Sequence, residues 1–119
     1  MTALLIAIGG AAGTVARYGL GTLVATETLP WLTVGINVAG SFLLGFLVAT
    51  AAWFPEQVRM ALAIGVLGGF TTFSTFSVDV LLELETGEVG SGLMLLAASV
   101  GFGVGAAAGG YLLGRRLAH

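Results

Sequence analysis

Apolar residues fill four long stretches of this chain, separated only by brief polar connections. The stretches run over 3–25, 32–54, 58–84 and 90–113. Each meets or exceeds the ~20 residues that an α-helix needs to cross the hydrocarbon core of a bilayer. None alternates apolar and polar with a period of two, and only helices or a closed barrel satisfy the backbone in lipid, so the pattern predicts four transmembrane helices. The connections carry turn residues: Glu27 to Trp31 around Pro30, Pro55 to Gln57, and Glu85 to Gly90 around Gly87. Trp31 and Trp53 bracket the second stretch and Tyr111 lies near the end of the fourth, as interfacial anchors do. A cleaved signal peptide needs a basic start and a short apolar run. Residues 1–16 hold no Lys or Arg, and the run is too long, so the first stretch is read as a permanent helix.

Composition supports this reading. Of 119 residues, 57% are hydrophobic and 8% charged, against about 25% charged in a soluble domain. Such a chain cannot clothe a water-facing surface, and four spans leave no room for a soluble domain. Cysteine is absent and the single histidine, His119, is the last residue, so thiolate chemistry, disulfides and histidine-held zinc or haem lack ligands. A net charge of −2 without a basic run argues against nucleic acid as a partner. With no visible nucleophile–base pair or metal cluster, the chain is not expected to be an enzyme. Glycine is abundant, and Gly9/Gly13, Ser41/Gly45 and Gly101/Gly105/Gly109 recur four residues apart. Small residues at that spacing let helices approach closely in lipid, within a subunit or between subunits.

The third stretch is not uniform. Gly68-Gly69 is followed by five hydroxyl residues, Thr71, Thr72, Ser74, Thr75 and Ser77, within seven positions. Glycine costs about 1 kcal/mol relative to Ala inside a helix, and Thr also lowers helix propensity. The segment is therefore a candidate for a break in mid-membrane, which would free carbonyls able to coordinate an ion. The alternative is an intact helix whose Ser and Thr bond back one turn. Phe73 and Phe76, three apart, share a helical face. Packing is the ordinary reason for such a pair, but aromatic edges are electropositive. Edges interleaved with hydroxyls would attract an anion weakly, as conduction requires.

Asn37 lies one turn from Thr33 and from Ser41 on the second helix, forming a polar stripe. It suits either an interhelical hydrogen bond or an NH2 donor on an anion path. Arg17, well inside the first span, could pair with an acid, cap carbonyls at a break, or draw anions into a vestibule. Asp79 continues the Phe73/Phe76 face, with Glu83 a turn beyond. Ser99 is the one hydroxyl deep in the fourth helix, and a helix–helix hydrogen bond is its expected role.

Three motif regions carry a family resemblance: Gly9-Gly10-Ala11-Ala12-Gly13-Thr14-Val15-Ala16-Arg17-Tyr18, Gly35-Ile36-Asn37-Val38-Ala39-Gly40-Ser41-Phe42, and Gly68-Gly69-Phe70-Thr71-Thr72-Phe73-Ser74-Thr75-Phe76-Ser77. Together, over essentially the whole length, the chain resembles the Fluc (CrcB) family of fluoride channels. The resemblance implies a passive channel in the cell membrane that lets out fluoride trapped after HF has entered and ionised. It implies an antiparallel, dual-topology dimer with two pores, whose broken third helices cross at the centre. It implies a structural sodium ion there, held by the carbonyls of Gly68 and Thr71 from both chains. Phe73 and Phe76 match the family's paired phenylalanines, Asn37 its pore asparagine and Arg17 its vestibule arginine, while Thr33 and Ser77 fit the hydroxyl track. Asp79 stands where the family often has Glu, one methylene longer.

Arg59, Arg115 and Arg116 fall on one side of a four-span topology, while the first and third loops carry no Arg or Lys. Such a bias favours a fixed orientation, and so a heterodimer with an oppositely oriented paralogue. The complete Phe73, Phe76 and Asn37 set favours a homodimer, which is the leading expectation. Two other readings remain open at this level: a small multidrug-type proton-coupled antiporter working through Asp79, and a non-transporting membrane scaffold.

Overall fold

The computed structural model describes residues 1–118 and is all-helical among them; His119 lies outside the described residues. Four spans cross the molecule, Thr2–Gly21, Thr26–Ala49, Glu56–Glu85 and Val89–Ala118. The chain is thus a multi-pass membrane protein. Its long axis measures 48 Å, enough for hydrocarbon plus headgroup layers of about 40–45 Å. Most large apolar side chains face outward, as they must where the solvent is lipid.

Helix α1 (Thr2–Gly21) stops four residues before the expected end. The Thr22 hydroxyl donates to the Gly19 carbonyl, 2.7 Å away, which closes the last turn. Helix α2 (Leu29–Ala49) is preceded by a 3-10 turn, Thr26–Thr28. Pro30 therefore starts this helix rather than marking a loop over Glu27–Trp31. Its missing N–H falls in the first turn, where no intrahelical partner exists anyway. After Thr50 the chain turns through Ala51–Trp53 instead of continuing to residue 54. Trp53 packs edge-on against Phe46 at 5.9 Å.

The third span is composite. A short helix α3 (Glu56–Met60) widens into a π-helical stretch, Ala61–Leu67, then returns to one turn of α-helix, α4 (Gly68–Phe70). Thr71 and Thr72 are extended, with φ/ψ of −91°/157° and −152°/123°. Helix α5 (Phe73–Glu85) resumes after them. The expected break is present, midway along the span. The π stretch has no counterpart in the sequence pattern, because apolar spacing does not distinguish a widened turn from a regular one. At the far end Gly87, with φ +85°, closes a Schellman cap: Glu88 N–H donates to Glu83 and Gly87 N–H to Leu84.

Helix α6 (Val89–Ala118) runs five residues beyond the expected end at 113. Arg115 and Arg116 occupy its last turn, where cations complement the helix dipole. The Arg115 guanidinium lies 5.7 Å from the centre of the Tyr111 ring. Helices α2 and α6 form the most extensive packing in the molecule, and α1 packs on the π stretch and α4. The glycine pattern divides accordingly. Gly45 abuts the Ala107 backbone, Gly110 abuts the Phe42 carbonyl, and Gly9 and Gly13 abut the third span. Gly101 and Gly105 face open space and contribute nothing to packing inside the subunit.

Candidate functional site

The break is gripped from both sides. From α1, the Arg17 Nε donates to the Gly69 carbonyl at 3.2 Å and the Thr14 hydroxyl to the same oxygen at 3.5 Å. Backbone contact makes this possible: a Cβ on Gly69 would come within 2.5 Å of the Gly10 carbonyl. From α2, Asn37 forms a two-bond couple with the Thr72 peptide group. Its Nδ2 donates to the Thr72 carbonyl at 2.9 Å, and its Oδ1 accepts from the Thr72 N–H at 2.8 Å. The Thr72 hydroxyl caps α5 by accepting from Thr75 N–H at 3.3 Å. Thr71 turns its N–H and its hydroxyl back to the Leu67 carbonyl. None of these bonds uses the carbonyls of Gly68 or Thr71.

Two cavities flank the break. The first, of about 320 Å³, is lined by Asn37, Ser41, Gly68, Thr71, Phe73, Phe76 and Ser99 among others. The second, of about 500 Å³, holds Thr14, Arg17, Thr33, Thr75 and Asp79. Thr72 borders both. All of the expected anion-path residues except Ser77 are therefore distributed over two chambers on either side of the Thr72 peptide. The Phe73 and Phe76 rings lie 5.8 Å apart, inclined at 59°. They differ in setting: Phe76 is 7% exposed and Phe73 78% exposed, so one is fixed in the protomer and the other stands at its surface.

An anion needs donors, and the hydroxyls differ in what they can still donate. Thr33 gives its proton to the Leu29 carbonyl at 3.1 Å, and Ser77 gives its own to Phe73 at 2.9 Å. Ser77 is not among the residues lining the two cavities. Ser99 is the opposite case. In place of the expected bond to a neighbouring helix, its buried Oγ has no partner among the described residues, and it borders the phenylalanine chamber. Of the roles open to Arg17, the structure shows the capping of a carbonyl at the break; it stays half-buried beside the second chamber.

Sequence reasoning singles out neither Thr72 as the point where the chambers meet nor Thr14 as a second ligand to Gly69. One signal is available for Thr72: a Thr three positions before Thr75 at a helix restart is a capping pattern.

Comparison with known proteins places this architecture. The family described as CrcB-like protein, Camphor Resistance (CrcB), matches residues 4–111. A protein of Thermus thermophilus named fluoride-specific ion channel FluC is 44% identical over 119 residues, covering 96% of this chain and 95% of its own. Relatives of the same name from Deinococcus radiodurans and Rhodospirillum centenum are each 47% identical. They cover 96% and 86% of this chain, and 95% and 86% of their own lengths. A match running from the first span into the last, with relatives aligned nearly end to end, establishes that this chain belongs to the CrcB-like family.

Proposed function

We propose that this protein is a fluoride-selective passive ion channel of the plasma membrane, exporting fluoride from the cytoplasm. The observation that carries the reading is the chamber at the broken third span, where Phe73, Phe76, Asn37 and Ser99 converge, in a chain whose relatives are named as fluoride-specific channels. A small anion leaving water must exchange its hydration for weak, replaceable partners. The chamber offers electropositive ring edges, the free Ser99 hydroxyl, and the Asn37 N–H that the couple with Thr72 leaves over. The Arg17 and Asp79 chamber lies on the other side of Thr72 and serves as the approach, with Arg17 supplying positive charge.

The same reading includes an antiparallel dimer with two pores and a sodium ion at its centre. The carbonyls of Gly68 and Thr71 fit that ion, being oxygen donors at an interrupted helix left free by every bond that holds the break. Bound there, sodium supplies positive charge and ties two chains together; two carbonyls per chain make the partner necessary. The exposed ring of Phe73 is suited to a path completed by that second chain, a homodimer first and a paralogue as the alternative.

The test is fluoride efflux from liposomes containing the purified protein, followed with a fluoride-selective electrode and compared with chloride efflux. Rapid fluoride release with chloride retained is the expected result. Release no faster than from empty vesicles, or equal for both halides, overturns the reading. Proton-coupled uptake of a lipophilic cation, lost in Asp79→Asn, would instead establish an antiporter, and a pulled-down membrane partner with no ion flux a scaffold.

A further inference from the structure

We infer that Asn37 is a positioning residue: by clamping the Thr72 peptide group it fixes the break, and through it the Phe73 ring and the carbonyls on either side. The inference rests on the channel reading for its functional consequence, and on the hydrogen bonds alone for its structural one. Five carbonyls lie at the break, on Gly68, Gly69, Phe70, Thr71 and Thr72. Side chains take two of them, Arg17 and Thr14 on Gly69 and Asn37 on Thr72. The other three, those of Gly68 and Thr71 among them, stay free of these bonds. The Thr72 N–H, which a continuous helix would direct at Gly68, is instead accepted by Asn37 at 2.8 Å. Asn37 thus stands in for the missing helical partner, and by doing so leaves the Gly68 oxygen unused.

The geometry is that of two amides paired head to tail, each both donor and acceptor. Both polar atoms of the Asn37 side chain are engaged, and only one N–H remains for anything in the chamber. Gly40, one turn along α2, presses on the Thr71 methyl so closely that a Cβ could not be accommodated, so the couple forms where α2 meets the break most tightly. Phe73 follows Thr72 directly, so rotation of the Thr72 peptide would swing a ring that is 78% exposed and lies 5.8 Å from that of Phe76.

The experiment compares wild type with Asn37→Leu, a side chain of similar size that forms no hydrogen bond, in lipid nanodiscs and chloride buffer without fluoride. Thr72 amide hydrogen exchange is measured, together with the 19F resonance of a 4-fluorophenylalanine placed at position 73. Fluoride efflux from liposomes is measured in parallel. Positioning predicts Thr72 exchange at least tenfold faster, a displaced or broadened resonance with no fluoride present, and efflux reduced at least tenfold. Exchange within twofold of wild type and an unmoved resonance would overturn it whatever the efflux, because Asn37 would then act only by touching the ion. Faster exchange with efflux within twofold of wild type would overturn it equally. Asn37→Ser, read the same way, replaces Asn37→Leu if that variant fails to assemble. A wild type without efflux removes the channel reading, while exchange and resonance still judge the clamp.

Discussion

Which hydroxyls hold spare protons decides what each residue on the path can do. Ser99 has the spare proton, and removing its hydroxyl breaks no bond among the described residues. Ser99→Ala should therefore lower fluoride efflux by about tenfold, equivalent to ~1.4 kcal/mol on the barrier, while the thermal midpoint in detergent stays within a degree or two. Phe76→Ile and Phe73→Ile should both reduce efflux about tenfold or more. They should separate in stability: Phe76, 7% exposed, should lose ~1–3 kcal/mol on truncation, seen as a lowered midpoint, and Phe73 almost none. At this scale most of the chamber is legible in residue order. Asn37, Phe73 and Phe76 can be found because a polar stripe and an aromatic pair stand out against oil. Thr33 and Ser77 read as the open hydroxyls and Ser99 as the bonded one, the reverse of what is found, since a rotamer that turns a hydroxyl back on its own helix leaves no mark on the sequence.

Among the elements, the glycines separate into those that let backbones touch and those that do not. Gly110 lies on the Phe42 carbonyl, whereas Gly105 meets nothing within 4 Å. Gly110→Ala should destabilise the protomer by ~1–3 kcal/mol through overpacking, and Gly105→Ala should leave its midpoint unchanged; thermal unfolding in detergent distinguishes them. Four-residue spacing marks Gly101, Gly105 and Gly109 as one helical face, because spacing records a face and not what faces it. Four helices and an interruption of the third are plain in the pattern, since apolar length and a Gly-Gly-hydroxyl run are local properties. The ends are not. Pro30 looks like a loop residue until its place in a first turn is known, and Arg115 and Arg116 look like the start of water although the helix continues through them.

For the molecule as a whole, three basic side chains gather at the end holding the second loop, opposite an end bearing Glu27, Glu85 and Glu88. Placing two copies head to tail brings unlike ends alongside one another in each leaflet. The sodium proposal predicts that exchanging sodium for a bulky organic cation on both sides abolishes efflux, with recovery on restoring it; electrode traces in the two buffers decide this. The smallest dimension of the protomer, 21 Å between Cα extremes, has a further consequence. Helix axes pack about 8–10 Å apart, so a slab that thin holds two layers of helices. On the proposed dimeric reading, a solitary copy leaves the exposed Phe73 ring facing hydrocarbon tails and conducts nothing. Diluting the protein with excess phospholipid should therefore make the fraction of conducting vesicles fall as the square of protomer density, and not simply as its first power.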